Sequence, residues 1–332
     1  MKFLFIGDPH IKQDNSDEVD ILIKEIERVY NEEKPDYIVV GGDVMHYHER
    51  LYTQSLNKSL EFFEKVRSLA YTYVLVGNHD YINNSEFLTE NHWMNSLKNW
   101  DNIKIVDKVV NESFYMLCPY VYPGRFVEAL ETECKEWTSK KVIFAHQEFK
   151  GCKMGAIVST TGDEWKEDYP FVISGHIHDN QKIGNNILYP GTPLQHAFGD
   201  SDKRVLCLIE YNECNNNVDI KEIELNVPRK KIIKTNLTDI KKVDIKNIDE
   251  NTKIKLDVST EEFKLFKETS DYKELLKKGV KIQIQKKRGN VIENENKDNK
   301  DNKENNDFIG TLKELIKDEE ELVKKLFKEI IV

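Results

Sequence analysis

The sequence predicts an α/β fold built on a largely parallel sheet. Two observations carry that prediction. Short apolar runs alternate with segments of helical periodicity, the βαβ rhythm of parallel strands joined by crossover helices. Five of those runs end abruptly in glycine or in polar residues of the kind that bind metals or move protons. In an open parallel sheet, sites form beyond the carboxyl ends of the strands. The pattern therefore lines these residues up along one edge of the molecule.

The elements follow in order. Phe3-Leu4-Phe5-Ile6 reads as a strand buried on both faces and ends in Gly7-Asp8-Pro9-His10. A helix is expected from about Asp17 to Asn31, with Val19, Leu22, Ile26 and Val29 on one side, closed by Pro35. Tyr37-Ile38-Val39-Val40 is the second run and ends in Gly41-Gly42-Asp43. Leu56, Leu60, Phe63 and Val66 mark another helix, and Tyr73-Val74-Leu75-Val76 leads into Gly77-Asn78-His79-Asp80. Helices are expected around 86–100 and 124–137, with strands at 103–106 and 113–117. The fourth run, Val142-Ile143-Phe144, ends in Ala145-His146-Gln147, and the fifth, Phe171-Val172-Ile173, ends in Ser174-Gly175-His176-Ile177-His178. Gly184-Asn185-Asn186 reads as a hairpin turn, and Val205 to Ile209 as a further strand.

After about Tyr211 glycine nearly disappears and lysine rises. The composition divides the chain into a catalytic domain at 1–212 and a small α+β domain at 213–289, with a helix expected from Thr260 to Leu276. Residues 290–307 form a polar, low-complexity linker that cannot bury a core. Residues 308–332 form an amphipathic helix with Leu312, Leu315, Leu322 and Leu326 on one side. Five cysteines are an odd number without metal-knuckle spacing, which argues for free thiols in a reducing, intracellular setting. No apolar stretch approaches a membrane span. A net charge of -10 argues against a simple electrostatic nucleic-acid binder, although Arg229-Lys230-Lys231, Lys241-Lys242, Lys277-Lys278 and Lys286-Lys287-Arg288 concentrate positive charge in the second domain, read either as a capping, DNA-phosphate-binding face or as a solvated surface.

Asp8, His10, Asp43, Asn78, His79, His146, His176 and His178 are thus delivered by five strand ends. Mixed carboxylate, imidazole and amide ligation suits a pair of borderline-hard divalent ions, and a carboxylate can bridge two of them. Two metals held close together can clamp both oxygens of a phosphoryl displacement. Taken singly, each residue also has an ordinary reading: Asp8 and Asp43 as turn residues, His146 as a buried structural histidine. Their joint recurrence at five strand ends disfavours that reading.

These motifs (Gly-Asp-Pro-His at 7–10, Gly-Gly-Asp at 41–43, Gly-Asn-His-Asp at 77–80, His146, Gly-His-Ile-His at 175–178) resemble the ordered motifs of calcineurin-like metallophosphoesterases over roughly the first 200 residues. The resemblance implies a four-layer α/β/β/α sandwich and two divalent metals, often manganese. It implies a first metal on Asp8, His10, Asp43 and His178, and a second on Asp43, Asn78, His146 and His176. His79 is then the catalytic residue, assisting the leaving group or stabilising phosphoryl charge. Within the family, His146-Gln147, the stretch Tyr189-Pro190-Gly191-Thr192-Pro193 and the appended domain, linker and helix are most similar to SbcD-type nuclease subunits of DNA double-strand-break repair, phage relatives included. That likeness implies a manganese-dependent DNA exo- or endonuclease. It also suggests an SbcC-type coiled-coil ATPase as a partner docking on 308–332, with self-docking or a homodimer as the alternative for that helix. A small-molecule phosphodiesterase or phosphatase, and a catalytically idle scaffold, remain the competing functions. Pro9 departs from the family pattern and stiffens the first loop. His46 and His48 are read as loop or cleft lining, His92 as a helix-face residue, His196 as lying near the cleft mouth within reach of substrate, and Arg125 as either a phosphate contact or simply exposed.

Overall fold

The computed structural model describes residues 1–48, 50–240 and 248–285. The expected alternation is present. β1 (Lys2–Ile6), α1 (Ser16–Glu33), β2 (Tyr37–Val40), α2 (Thr53–Leu69), β3 (Tyr71–Leu75) and β4 (Ile103–Val106) follow one another, and β1 to β4 pair in parallel. Then come β5 (Val110–Asn111), β6 (Tyr115–Cys118), α3 (Phe126–Glu133), β7 (Val142–His146) and a small hairpin of β8 (Lys153–Met154) with β9 (Ile157–Val158). β10 (Phe171–Gly175), β11 (Gln181–Ile183), β12 (Ile187–Tyr189), β13 (Val205–Asn212) and β14 (Asn217–Glu224) complete the two large sheets. One has the order β14-β13-β1-β2-β3-β4 and the other β11-β12-β10-β7-β6-β5.

Alternation along the strands decides what packs where, since successive side chains point to opposite faces. Leu4, Ile6, Ile38, Val40 and Val74 join Val19, Leu22, Ile26 and Val29 of α1 and Phe62, Phe63 and Val66 of α2 in one cluster. Their neighbours Phe3, Phe5, Val39, Tyr73 and Leu75 pack with Tyr115, Leu117, Phe144, Ile173 and Leu188 of the other sheet. Met116, Cys118, Ile143, Ala145 and Val172 pack with Phe126, Ala129 and Leu130 of α3. Helices thus cover one face of each sheet, and the remaining faces share a core. The fold is mixed α/β, as expected.

A smaller parallel sheet of β15 (Lys231–Thr235), β16 (Thr252–Asp257) and β17 (Lys281–Gln285) carries α4 (Thr260–Lys267) and α5 (Ser270–Lys277). It belongs with the large sheets in one compact unit, Met1–Gln285. Lys230 ties it to the rest, donating its backbone N–H to Gln195 Oε1 at 2.5 Å and pairing with Glu18 at 2.9 Å.

Four expectations shift. Residues 86–100 form no continuous helix. The Trp93 indole donates to the Asp80 carboxylate at 2.9 Å, Tyr81 and His92 form an isolated bridge, and only Asn95–Asn99 makes a short helical turn. The 124–137 helix is confined to α3, followed by a turn at Trp137–Ser139. The 260–276 helix is two helices, because the Thr269 hydroxyl accepts the Tyr272 N–H and starts α5. Residues 217–224, grouped with the small domain by composition, form a hairpin with β13 at the edge of the first large sheet. The linker, the terminal helix, Lys241-Lys242 and Lys286-Lys287-Arg288 lie outside the described residues. All five cysteines are free, and among the described residues no helix is long and apolar enough to cross a membrane.

Candidate metal centre

The five strand ends of β1, β2, β3, β7 and β10 deliver their polar residues to one place. Three groups of side chains put a donor atom from each member within 4.8 Å of the others: Asp8, His10 and His178; His10, Asp43 and His79; and Asp43, His146 and His176. Asp43 belongs to two of them, so its carboxylate stands between the His10 side and the His146 side. Asn78 completes the second side, its Oδ1 lying 3.1 Å from His146 Nε2 and 2.9 Å from His176 Nδ1. All seven residues expected to hold metal, together with His79, are therefore brought together.

Local backbone geometry makes this convergence possible. His10, Asp43 and His176 all have positive φ (44°, 48° and 79°), a region that L-residues seldom occupy. Strain of this kind persists where the surroundings over-determine it, and it clusters at functional sites. Gly77 and Gly175 allow the close approach that follows: a Cβ on Gly77 would collide with Asp43, and one on Gly175 with the Asp8 carboxylate and the Gly41 carbonyl. Pro9 does not displace its neighbours. Asp8 and His10 are both buried, and the His10 N–H donates to the Asp43 carbonyl at 3.1 Å.

Hydrogen bonds fix which atoms face the centre. His146 Nδ1 donates to the Gly41 carbonyl at 2.7 Å, which leaves Nε2 pointing at Asp43 Oδ2, 3.4 Å away. His79 Nδ1 donates to the His46 carbonyl at 2.6 Å, leaving its Nε2 4.0 Å from Asp43 Oδ2. A backbone acceptor of this kind orients a ligating imidazole and sets its tautomer. Asp8 and Asp43 each take one backbone N–H, from His176 at 2.7 Å and from His79 at 2.8 Å. The Asp80 carboxylate accepts from Gly77 N at 3.0 Å and Val44 N at 3.2 Å, binding the loops after β2 and β3 to each other.

The electrostatics are those of a site crowded with donors. Burial pushes Asp8 well above the usual carboxylate range, against the opposing pull of His146. Burial would raise Asp43 too, but His146, with His79 and His10, holds it well below. Burial would depress His146, yet Asp43 and Asp8 lift it to about 9. Burial, reinforced by His146, pushes His176 down to about 3, and burial lowers His10 and His178.

Divalent cations fit these residues. Asp8 Oδ1 is buried without a hydrogen-bond partner among the described groups. His10 Nε2 and His178 Nε2 lie 3.0 Å apart, two nitrogens converging on one point. A buried carboxylate oxygen left unpaired is costly on its own, and a cation shared with the two nitrogens would satisfy it. Carboxylate oxygens, imidazole nitrogens and an amide oxygen suit ions such as manganese, iron or zinc.

Some neighbours exceeded the sequence reading. The His46 ring packs 5.3 Å from that of His10, the His48 ring stacks 4.1 Å from that of His79, and His196 sits 4.9 Å from His10. Eight of the nine histidines thus gather here, and proximity of the first pair to Asp43 in sequence was the only signal for them. Glu148 reaches 4.0 Å from His176 Nε2 and had no sequence signal. His92 does not join: it bonds Asp107 at 3.3 Å, away from any helix face. Arg125 is bound to Glu128 and stacked on Phe87, which favours the exposed reading over a phosphate contact.

The calcineurin-like phosphoesterase family matches residues 1–180, and the chain belongs to that family. Among its relatives are two proteins named as phosphoesterases without a stated substrate. One is 078R of Invertebrate iridescent virus 3, 44% identical over 291 residues covering 85% of this chain and 83% of that protein. The other is 244L of Invertebrate iridescent virus 6, 46% identical over 278 residues covering 80% and 97%. Among solved structures, a phosphatase from Mycoplasma pneumoniae aligns over 69% of this chain and 95% of its own at 12% identity, with a TM-score of 0.37. The phosphoesterase YfcE from E. coli aligns over 68% and 100% at 11% identity, with a TM-score of 0.32.

Proposed function

We propose that this phosphoesterase is a two-metal phosphodiester hydrolase, with manganese as the metal and DNA as the substrate of the SbcD-type reading. The observation that supports the two-metal reading is the sharing of Asp43 between two donor groups, with His10 and His79 on one side and with His146 and His176 on the other; His10 groups in turn with Asp8 and His178, and Asn78 lies beside His146. Bound divalent ions neutralise phosphoryl charge and make water acidic enough to attack at neutral pH. The chain's own residues do the rest. Asp8, Asp43 and the histidines fix where the ions and the phosphoryl group lie. His79 has its Nδ1–H committed to the His46 carbonyl, so Nε2 is the atom left to face the leaving oxygen, and it gives a proton there from the imidazolium form, which holds a proton on both nitrogens. A positioned acid contributes about 10²–10⁴-fold.

A small diester is the second reading, and the charge of the neighbouring cleft favours it. Lys12, Lys230 and Lys281 line that cleft with four carboxylates, so it offers no excess of positive charge to a polyphosphate backbone. Arg229 and Lys230 are engaged internally, with Leu225 and Glu18 among their partners. The scaffold reading is disfavoured by a complete donor set. Attachment of an SbcC-type coiled-coil ATPase through 308–332 remains part of the nuclease proposal, with a homodimer as its alternative.

The test is manganese-dependent hydrolysis of 5′-labelled linear duplex DNA and of bis-p-nitrophenyl phosphate by wild type and His79→Ala. The expected outcome is cleavage by wild type, a loss of about 10²-fold or more in the variant, and unchanged manganese content. Cleavage of the small diester alone by the isolated chain selects the second reading unless added ATPase partner restores DNA cleavage. Turnover that survives His79→Ala intact removes His79 from the chemistry.

A further inference from the structure

Beside the metal centre lies a cleft of about 550 Å³, bounded by the start of α1, the Gln195–Phe198 loop and the small domain through Glu250, Gly279 and Lys281. His196 belongs both to this cleft and to the centre. Its ring lies 4.9 Å from that of His10 and 5.6 Å from that of His178. Both of its ring nitrogens are shut off from solvent, and neither is hydrogen-bonded by a described protein group. A buried polar group without a partner is destabilising, so two such nitrogens on one ring need a reason.

The loop that carries His196 is built to hold it. Asp200 Oδ2 accepts the His196 N–H at 2.8 Å and the Ala197 N–H at 3.0 Å. The Gln195 amide donates to the Asp200 carbonyl at 3.0 Å, and its oxygen takes the Lys230 N–H. The backbone that carries the ring is therefore a braced turn, and the ring does not belong to any of the three donor groups.

We infer that His196 is a substrate-binding and specificity residue: its ring turns on substrate entry to bring a shielded nitrogen to the ester beyond the metal centre, and directs one arm of the substrate into the 550 Å³ cleft. This rests on the phosphodiester reading above. The lining identifies the class of arm. Three lysines face four carboxylates, which disfavours a second phosphate. Ile21, Phe198 and Pro228 supply apolar surface, while Gln54 and Asn251 supply amides. An uncharged polar arm of nucleoside size, with a flat ring and hydroxyl groups, matches that mixture.

The test is a calorimetric titration of the manganese-loaded full chain with two non-hydrolysable probes, methylphosphonate and the phosphonate analogue of AMP. Manganese content and melting temperature are measured for each variant. Wild type is expected to bind the nucleoside-bearing probe at least tenfold more tightly than methylphosphonate. His196→Ala is expected to weaken the nucleoside-bearing probe roughly tenfold, the loss of about one hydrogen bond to a charged group, and to keep its manganese. His196→Gln, which can still donate and accept, restores part of that. Phe198→Ala weakens the same probe without affecting methylphosphonate. Equal binding of the two probes by wild type overturns the role of the cleft. Unchanged binding by His196→Ala overturns the role of the histidine, and loss of manganese in that variant makes it a metal ligand instead. None of these readouts requires turnover, so failure of the hydrolase reading would show separately, as absent hydrolysis of bis-p-nitrophenyl phosphate.

Discussion

His92 and Lys98 both reach the Asp107 carboxylate, the lysine at 2.6 Å. The His92 Nδ1 accepts the Met94 N–H, so its Nε2 carries the proton given to Asp107. Burial would raise Asp107, but these bonds hold it at about 2 against an ordinary 3.8. A carboxylate depressed in the folded state stabilises fully above its unfolded value, and that contribution disappears as pH falls through the folded value. Asp107→Asn is therefore expected to lower the melting temperature at pH 7, with the difference from wild type closing between about pH 4 and pH 2. A difference that stays constant over that range in scanning calorimetry would contradict the assignment. Legibility at this scale depended on locality. Asp8, His10, Asp43, Asn78, His79, His146, His176 and His178 each follow a strand directly, so position in sequence gives position in space. His196 lies on a loop whose placement depends on Asp200 and Gln195, and its neighbours His10 and His178 come from other strands. The sequence places His196 near the cleft mouth, but no spacing along the chain gives its contacts with His10 and His178.

At the scale of elements, the strands that position the site are held by the core between the two large sheets. Phe144 of β7 is fully buried there, its ring 5.1 Å from Phe3 and 6.1 Å from Tyr115, and His146 lies two residues further on. Phe144→Ala is expected to cost about 3–5 kcal/mol in urea unfolding, the range for truncating a buried aromatic side chain. A loss below about 1 kcal/mol would show that the two sheets do not share a close-packed core there. Continuous apolar runs announced these strands plainly. The misread segments failed for identifiable reasons. Residues 86–100 have Leu88, Trp93 and Leu97 near helical spacing, but they are rich in asparagine, which competes with helix formation through its own side-chain bonds. Asp80 then claims Trp93 for the loop. Residues 217–224 alternate polar and partly buried positions, as an edge strand should, and their charged residues (Asp219, Lys221, Glu222 and Glu224) disguised it as part of the more polar second domain.

At the scale of the whole molecule, the arrangement brings residues separated by up to 170 positions in sequence (Asp8 to His178) to one point by stacking five strand ends along one edge. The family and the α/β class were legible because that edge is written into the order of the motifs. The cleft beside it was not, because it needs the small domain, which meets α1 through Lys230 and Glu18. The central claim is that Asp43 joins two metal sites. Manganese binding to the full chain, followed by titration calorimetry with metal analysis of the saturated protein, tests it most directly. Wild type is expected to hold two ions per chain. Asp43→Asn is expected to weaken both sites together, because a neutral amide cannot serve as the shared anionic ligand. A single ion per wild-type chain, or an Asp43→Asn variant that binds two as tightly as wild type, would contradict the account.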